Sequence, residues 1–262
     1  MRGANTFLGS LASLTIFIPV SYCQVPPQDP SASQIHRQFV FERSIAEDLE
    51  KRDGKLDDAP IRAYLQRILT RIGDAVGRKS LEIRITRSSD EYVELLPSGT
   101  IYISAGLLER VANEAELAGL FAHELAHGSG LVTRQNPGGS APLITSACVL
   151  ASPRGVFLSA TYRDAEIQAT NSAIGNLKLA GYDPAAVLDL LSKLSYEHPG
   201  WSKAIVADDL LTIRATLEAE PVPPAGYQID SSEFIEQHAG LVAALARAKK
   251  TSRPTFGPSK IN

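Results

Sequence analysis

The chain has 262 residues, 44% hydrophobic and 21% charged, with a formal net charge of −3. That length suffices for one sizeable core with additions, and the near-neutral balance argues against nucleic acid or an anionic membrane surface as the main partner. Its two cysteines, Cys23 and Cys148, are too far apart to suggest a metal site.

At the N-terminus, Arg2 precedes a mostly apolar run from Phe7 to Val20, and Ser21-Tyr22-Cys23 forms an exit before Gln24. A positive start, a short apolar stretch and a Pro-rich sequel predict a signal peptide over 1–23 and a secreted or periplasmic protein. Two alternatives stand: an uncleaved signal acting as a membrane anchor, and a lipoprotein held through Cys23, against which the bulk of Tyr22 argues. With Cys23 removed, Cys148 would be alone and no intramolecular disulfide could form. Residues 24–33 contain Pro26, Pro27 and Pro30 and read as a linker.

Beyond the linker, Ile35, Phe39, Phe41, Ile45 and Leu49 mark a helix ending near Asp53-Gly54. Ile61, Tyr64, Leu65, Ile68, Leu69 and Ile72 repeat at helical spacing through a second, ending near Gly73. The period then changes: Leu81, Ile83 and Ile85 alternate with polar residues, and Ile101-Tyr102-Ile103 follows Pro97-Ser98-Gly99, so two strands are expected. Helix returns after Asn113, a candidate N-cap, and carries Leu117, Leu120, Phe121 and Leu125, with Gly128 and Gly130 as its stop.

The apolar run Ala141 to Ala151 is too short to span a bilayer and reads either as a buried helix or as an interfacial hairpin. The latter would bring peripheral membrane association. Helices are expected over Val156 to Leu179, from Pro184 through Leu194, over Leu210 to Leu217 and from Ser231 to Lys249, with a disordered final dozen residues. The fold class is therefore α+β, mainly α. Its expected organisation is a catalytic domain over 34–205 and a helical C-terminal extension over 206–262.

His123-Glu124-Leu125-Ala126-His127 carries the chemistry. Residues four apart on a helix lie nearly above one another, so both imidazoles can reach one Zn2+ ion. Glu124 then stands beside the metal, where a general base takes a proton from activated water. A catalytic zinc needs a third protein ligand, and Glu166 on the later helix is the natural candidate. Read without a metal, the same glutamate is one more charge on a solvated helix face.

Taken in order, several segments resemble the HtpX/BepA-like and CAAX prenyl protease family of zinc endopeptidases. They are Leu96 to Leu108, Glu116 to His127, Arg163-Asp164-Ala165-Glu166-Ile167-Gln168-Ala169, Ala180-Gly181-Tyr182-Asp183-Pro184 and His198-Pro199, within residues 58–200. The resemblance implies a zincin-like, mainly helical fold with a small sheet. It implies His123, His127 and Glu166 as ligands of one zinc and Glu124 as base, with Arg163 and residue 170 behind the ligands. It also implies that the strand Ile101, Tyr102, Ile103 and Ser104 is exposed and binds a peptide or unfolded protein substrate by strand addition.

Three departures bear on activity. Thr170 stands where the family has Asp, replacing a charged acceptor for a ligand histidine by a hydroxyl. Gly128-Ser129-Gly130 replaces the usual continuation after the motif, which points to an early end of that helix. His198 is followed by Pro199-Gly200-Trp201; it reads equally as a group approaching the metal, catalytic as an oxyanion donor, or as a loop histidine. His36 and His238 are expected at the surface. Thr170 also motivates an alternative: a catalytically weakened pseudo-peptidase acting as a chaperone-like binding module.

Overall fold

The computed structural model describes residues 32–96, 98–129, 160–197, 207–223 and 225–251. The expected signal peptide and most of the linker, both cysteines, the apolar run from Ala141, His198 and the final residues lie outside the described residues. In chain order come α1 (Ala32–Asp53), α2 (Ala59–Ala75), β1 (Glu82–Thr86), β2 (Val93–Leu95), β3 (Thr100–Ser104) and α3 (Ala105–Arg110). These are followed by α4 (Glu114–Ser129), α5 (Ala160–Ala180), α6 (Ala186–Glu197), α7 (Ala207–Glu218) and α8 (Ser232–Thr251). The class is mainly helical with one small mixed sheet, as expected.

Local chemistry accounts for the boundaries. The Asp58 carboxylate accepts the Ile61 N–H at 3.2 Å, and Pro60 opens α2 where its missing N–H costs nothing. Asn113 Oδ1 accepts the Glu116 N–H at 2.8 Å while Glu116 Oε2 accepts the Ala112 N–H at 2.8 Å, a reciprocal cap that starts α4 where the sequence suggested. Helix α4 is described through Ser129, so Gly128 lies within it. At the other boundary the Schellman-like turn at Gly181, with φ +78°, separates α5 from α6.

The sheet order is β1-β3-β2, with β1 parallel and β2 antiparallel to β3. Ile83 and Ile85 lie opposite Ile101 and Ile103, which in turn oppose Leu95 and Val93. These six side chains form one face and join the main core with α2, α4 and α6. The other face carries Tyr92, Leu96 and Tyr102 and is covered by Ile45, Ala46 and Leu49 of α1. Carboxylates fasten that helix: Glu50 accepts from the Tyr102 hydroxyl at 3.0 Å, Asp53 from the Tyr92 hydroxyl at 2.6 Å, and Glu42 from the Ser98 N–H at 3.1 Å.

This topology corrects one expectation. The strand Ile101 to Ser104 is the centre of the sheet, hydrogen-bonded on both sides, and so cannot take a further strand. The outer positions belong to β1 and β2, and the C-terminal part of β1 is already flanked by residues 54–56, with Leu56 N–H donating to Ile85 at 2.9 Å. A second correction concerns His238. It is half-buried, stacks on Phe234 at 5.2 Å and sets Nε2 3.2 Å from the Leu108 carbonyl.

Helix α4 lies between α2, α5 and α6, and at Gly119 the approach to α6 is close. A Cβ there would lie 3.0–3.1 Å from Val187 main-chain and Cβ atoms, so any side chain would push the helices apart. Phe234, Leu241 and Leu245 of α8 are buried in the same core as α2 and α3. None of the described helices is long and apolar enough to cross a membrane.

Candidate metal centre

The amphipathic logic of α4 is unusual for a helix carrying charge: nearly every residue from Ala115 to Leu125 is buried, including His123 at 1% exposure and Glu124 at 0%. Buried polar groups must find partners, and here they find one another. His123 and His127, one turn apart, turn their Nε2 atoms to within 3.0 Å of each other. Glu166, reaching across from α5, sets Oε2 3.1 Å from His123 Nε2 and 3.4 Å from His127 Nε2.

The size of this triangle is informative. A tetrahedral zinc with donors about 2.0–2.1 Å away has donor-to-donor edges of roughly 3.4 Å. Separations of 3.0 to 3.4 Å among two imidazole nitrogens and a carboxylate oxygen fit that figure. Among the described residues these three form the group of His, Cys, Asp and Glu side chains able to hold a metal ion. The donor set, two neutral nitrogens and one anionic oxygen, is also the chemistry of a catalytic rather than a closed structural zinc site, since it leaves a fourth position.

Electrostatics agree. Burial would raise the Glu166 carboxyl, but hydrogen bonds and charge from His123 and His127 outweigh it and hold the group down at about 2. Burial pushes His123 below its ordinary value, which favours the neutral imidazole that a metal requires. His123 and Glu166 are thus both held toward the protonation state that metal binding requires.

The residues expected behind the ligands sit differently. Arg163 is half exposed and forms a two-pronged ion pair with Asp209 of α7, at 2.6 and 2.7 Å, one turn away from Glu166 on the outer side of α5. Thr170 is fully buried, but its hydroxyl donates to the Glu166 carbonyl at 2.8 Å, within its own helix. His123 Nδ1 has no hydrogen-bond partner among the described residues.

One polar centre escaped the sequence reading. Glu114, buried at the start of α4, accepts from the hydroxyls of Tyr64 and Tyr182, both at 2.9 Å, from the Gln228 amide at 2.7 Å and from the Ser231 hydroxyl. Its signal was Tyr182 in Ala180-Gly181-Tyr182-Asp183-Pro184, a segment singled out above for its family resemblance. Contact with the Glu114 carboxylate and burial push the Tyr64 and Tyr182 hydroxyls well above their ordinary range, so they stay protonated donors.

A helix bearing two histidines and a glutamate, faced by a second helix bearing the third donor, defines a zinc metallopeptidase of the His-Glu-x-x-His plus Glu kind. Residues 61–131 match Peptidase family M48, a stretch that contains His123, Glu124 and His127 and stops before Glu166. That match and the third donor supplied from α5 together give the chain the His-His-Glu zinc site of an M48-type metallopeptidase. No curated protein matches the chain.

Proposed function

We propose that the chain is a zinc-dependent endopeptidase hydrolysing peptide bonds within secreted or envelope proteins that present extended or unfolded segments. The observation that carries this reading is the convergence of His123, His127 and Glu166 beside the buried carboxylate of Glu124. These three donors hold the metal. Zinc, when bound in such a site, polarises a carbonyl and lowers the pKa of a water in its open position to near 7. Glu124 takes the proton from the attacking water and returns it to the leaving amine. A carboxylate next to a ligand histidine, rather than on the metal, can make that transfer.

Extended substrate would pair along the outer side of β2. The Ser104 N–H of β3 donates to the Tyr92 carbonyl at 3.0 Å and the Leu96 N–H donates to the Thr100 carbonyl at 2.8 Å, so the alternate residue Val93 turns its N–H and C=O outward. Backbone pairing holds a peptide without demanding one sequence, which suits an endopeptidase. Export is supported by the apolar stretch after Arg2. A second reading, a weakened peptidase that chiefly binds unfolded chains, is supported by Thr170, which stands where the family resemblance implies an Asp and whose hydroxyl donates to the Glu166 carbonyl.

Glu124→Gln tests the proposal. The variant should keep its zinc and cleave an unfolded protein at least about a hundredfold more slowly. Equal cleavage before and after the change would refute the mechanism, and a zinc-loaded wild type that slows aggregation without cleaving anything would favour the second reading.

A further inference from the structure

We infer that Glu94 selects for a lysine or arginine in the bound peptide, at the position directly across from it on the outer side of β2. The inference rests on the strand-pairing reading above and gives that same site a side-chain preference. Strand β2 turns Val93 and Leu95 into the main core, so Glu94 stands on the opposite face, the one that carries Tyr92, Leu96 and Tyr102 beneath α1. It lies opposite Tyr102, between the bonded positions Tyr92 and Leu96, and its main chain is therefore turned towards β3. An antiparallel peptide bonded to Val93 then meets Glu94 in a pair without mutual hydrogen bonds. In such pairs the strands come closest, with Cα atoms about 4.5 Å apart, and opposite charges on one face attract.

The surroundings of Glu94 favour a cationic partner. It is half-buried, and burial pushes its carboxyl above the ordinary value against the pull of Arg52. Arg52 itself gives its guanidinium to Asp53 through two bonds, at 2.6 and 2.7 Å, and lies over the Tyr92 ring. A cation brought by the peptide would offset the cost of burying the carboxylate, whereas a neutral side chain would not and an acidic one would add repulsion. The aliphatic stem of lysine or arginine can follow the apolar surface of this face while its head reaches the carboxylate. Pairing at Val93 thus stays tolerant of sequence, and Glu94 ranks the sequences that pair.

Synthetic unstructured peptides in which each position in turn holds Lys, Gln or Glu test this on the zinc-loaded full chain. At one position relative to the cleaved bond, Lys should be preferred to Gln by about fivefold in kcat/KM, carried by KM, and Glu should be disfavoured. Glu94→Gln is expected to keep its zinc and to lose the distinction between Lys and Gln; Glu94→Lys is expected to prefer Glu. A Lys preference that survives in Glu94→Gln, or a wild type indifferent to charge at every position, overturns the inference. Binding of the same peptides to the Glu124→Gln chain, read by fluorescence anisotropy, separates it from the hydrolytic reading. If nothing is cleaved yet Lys peptides bind about fivefold more tightly through Glu94, the peptidase reading fails and this one stands. Cleavage without any preference that depends on Glu94 overturns this inference alone, and the absence of both cleavage and preference overturns the two together.

Discussion

The N–H of Ala115, in the first turn of the helix that carries both ligand histidines, donates to the carbonyl of Ile229 at 2.9 Å. Opening N–H groups of a helix have no partner within it and must be satisfied from elsewhere. Here the segment before α8 supplies one, and Asp230 adds a longer bond of 3.4 Å to the Glu114 N–H. The C-terminal segment is thus bonded to the beginning of the active-site helix, 114 residues away in the Gln228 to Glu114 case.

Removing residues 228–262 should therefore do more than trim a tail. It removes the Ile229 and Asp230 acceptors from the first turn of α4, deletes two donors to Glu114 and exposes the core positions now filled by Phe234, Leu241 and Leu245. The shortened chain is expected to lose cooperative thermal unfolding and to bind zinc far more weakly than the full chain. A truncation that melts like wild type would contradict this.

Glu114 should be costly to lose. Glu114→Ala leaves two buried tyrosine hydroxyls, an amide and a serine without their acceptor, a loss of about 3–5 kcal/mol. For a chain of this size that lowers Tm by roughly 10 °C. Tyr182→Phe removes one donor only and should cost about 2 kcal/mol. Thermal melts of the two variants give the comparison directly, and equal melting temperatures would refute the network.

Much of this was legible in the sequence, and the failures share a physical cause. His123 and His127 were readable because their relation is local, fixed by helix geometry, and Asn113 as a cap for the same reason. Glu166 was named as the third ligand on the later helix, and the packing of α5 on α4 brings it to 3.1 Å from His123. Strand β2 has three residues, too few for alternation to register, and α3, which β3 enters through the Ser104 cap at 3.1 Å, has only six. The sequence marked β3 as a strand, yet periodicity says nothing about a strand's neighbours, and so its central position was missed. Glu114 reads in sequence as an ordinary acid at a helix start. Its four donors come from α2, the α5–α6 turn and the segment before α8, which no local pattern connects.

Acid should destabilise the zinc-free protein in two windows. Burial lowers the His123 pKa below its unfolded value of 6.5, so the folded state binds that proton less readily than the unfolded one. The resulting stability is present above about pH 6.5 and is lost as pH falls below it. Glu166, at about 2 in the folded chain against 4.5, contributes stability present above about pH 4.5 and lost as pH falls towards 2. Denaturant unfolding of zinc-free protein at pH 7.5, 5.5 and 3.5 should show a fall at each step. Glu166→Gln should shrink the second fall, to which Glu50 and Asp53 also contribute, and not the first; a profile unchanged by that substitution would contradict the assignment.

Val93→Pro probes the proposed peptide-binding edge. Proline on an outer strand removes one outward N–H and spares the bonds that Tyr92 and Leu96 make to β3. The variant should retain zinc and raise KM for an unfolded protein substrate by about tenfold, the equivalent of roughly one charge-free hydrogen bond at 1.4 kcal/mol. Unaltered KM would place the substrate elsewhere.

Metal content tests the central claim most directly. Elemental analysis of the purified full chain, saturated with zinc and desalted, should find about one zinc per chain, and Glu166→Ala and His127→Ala should each bring it close to zero while the helical signal in circular dichroism persists. A wild type without zinc, or a folded Glu166→Ala variant that keeps its zinc in full, would contradict the His123–His127–Glu166 site.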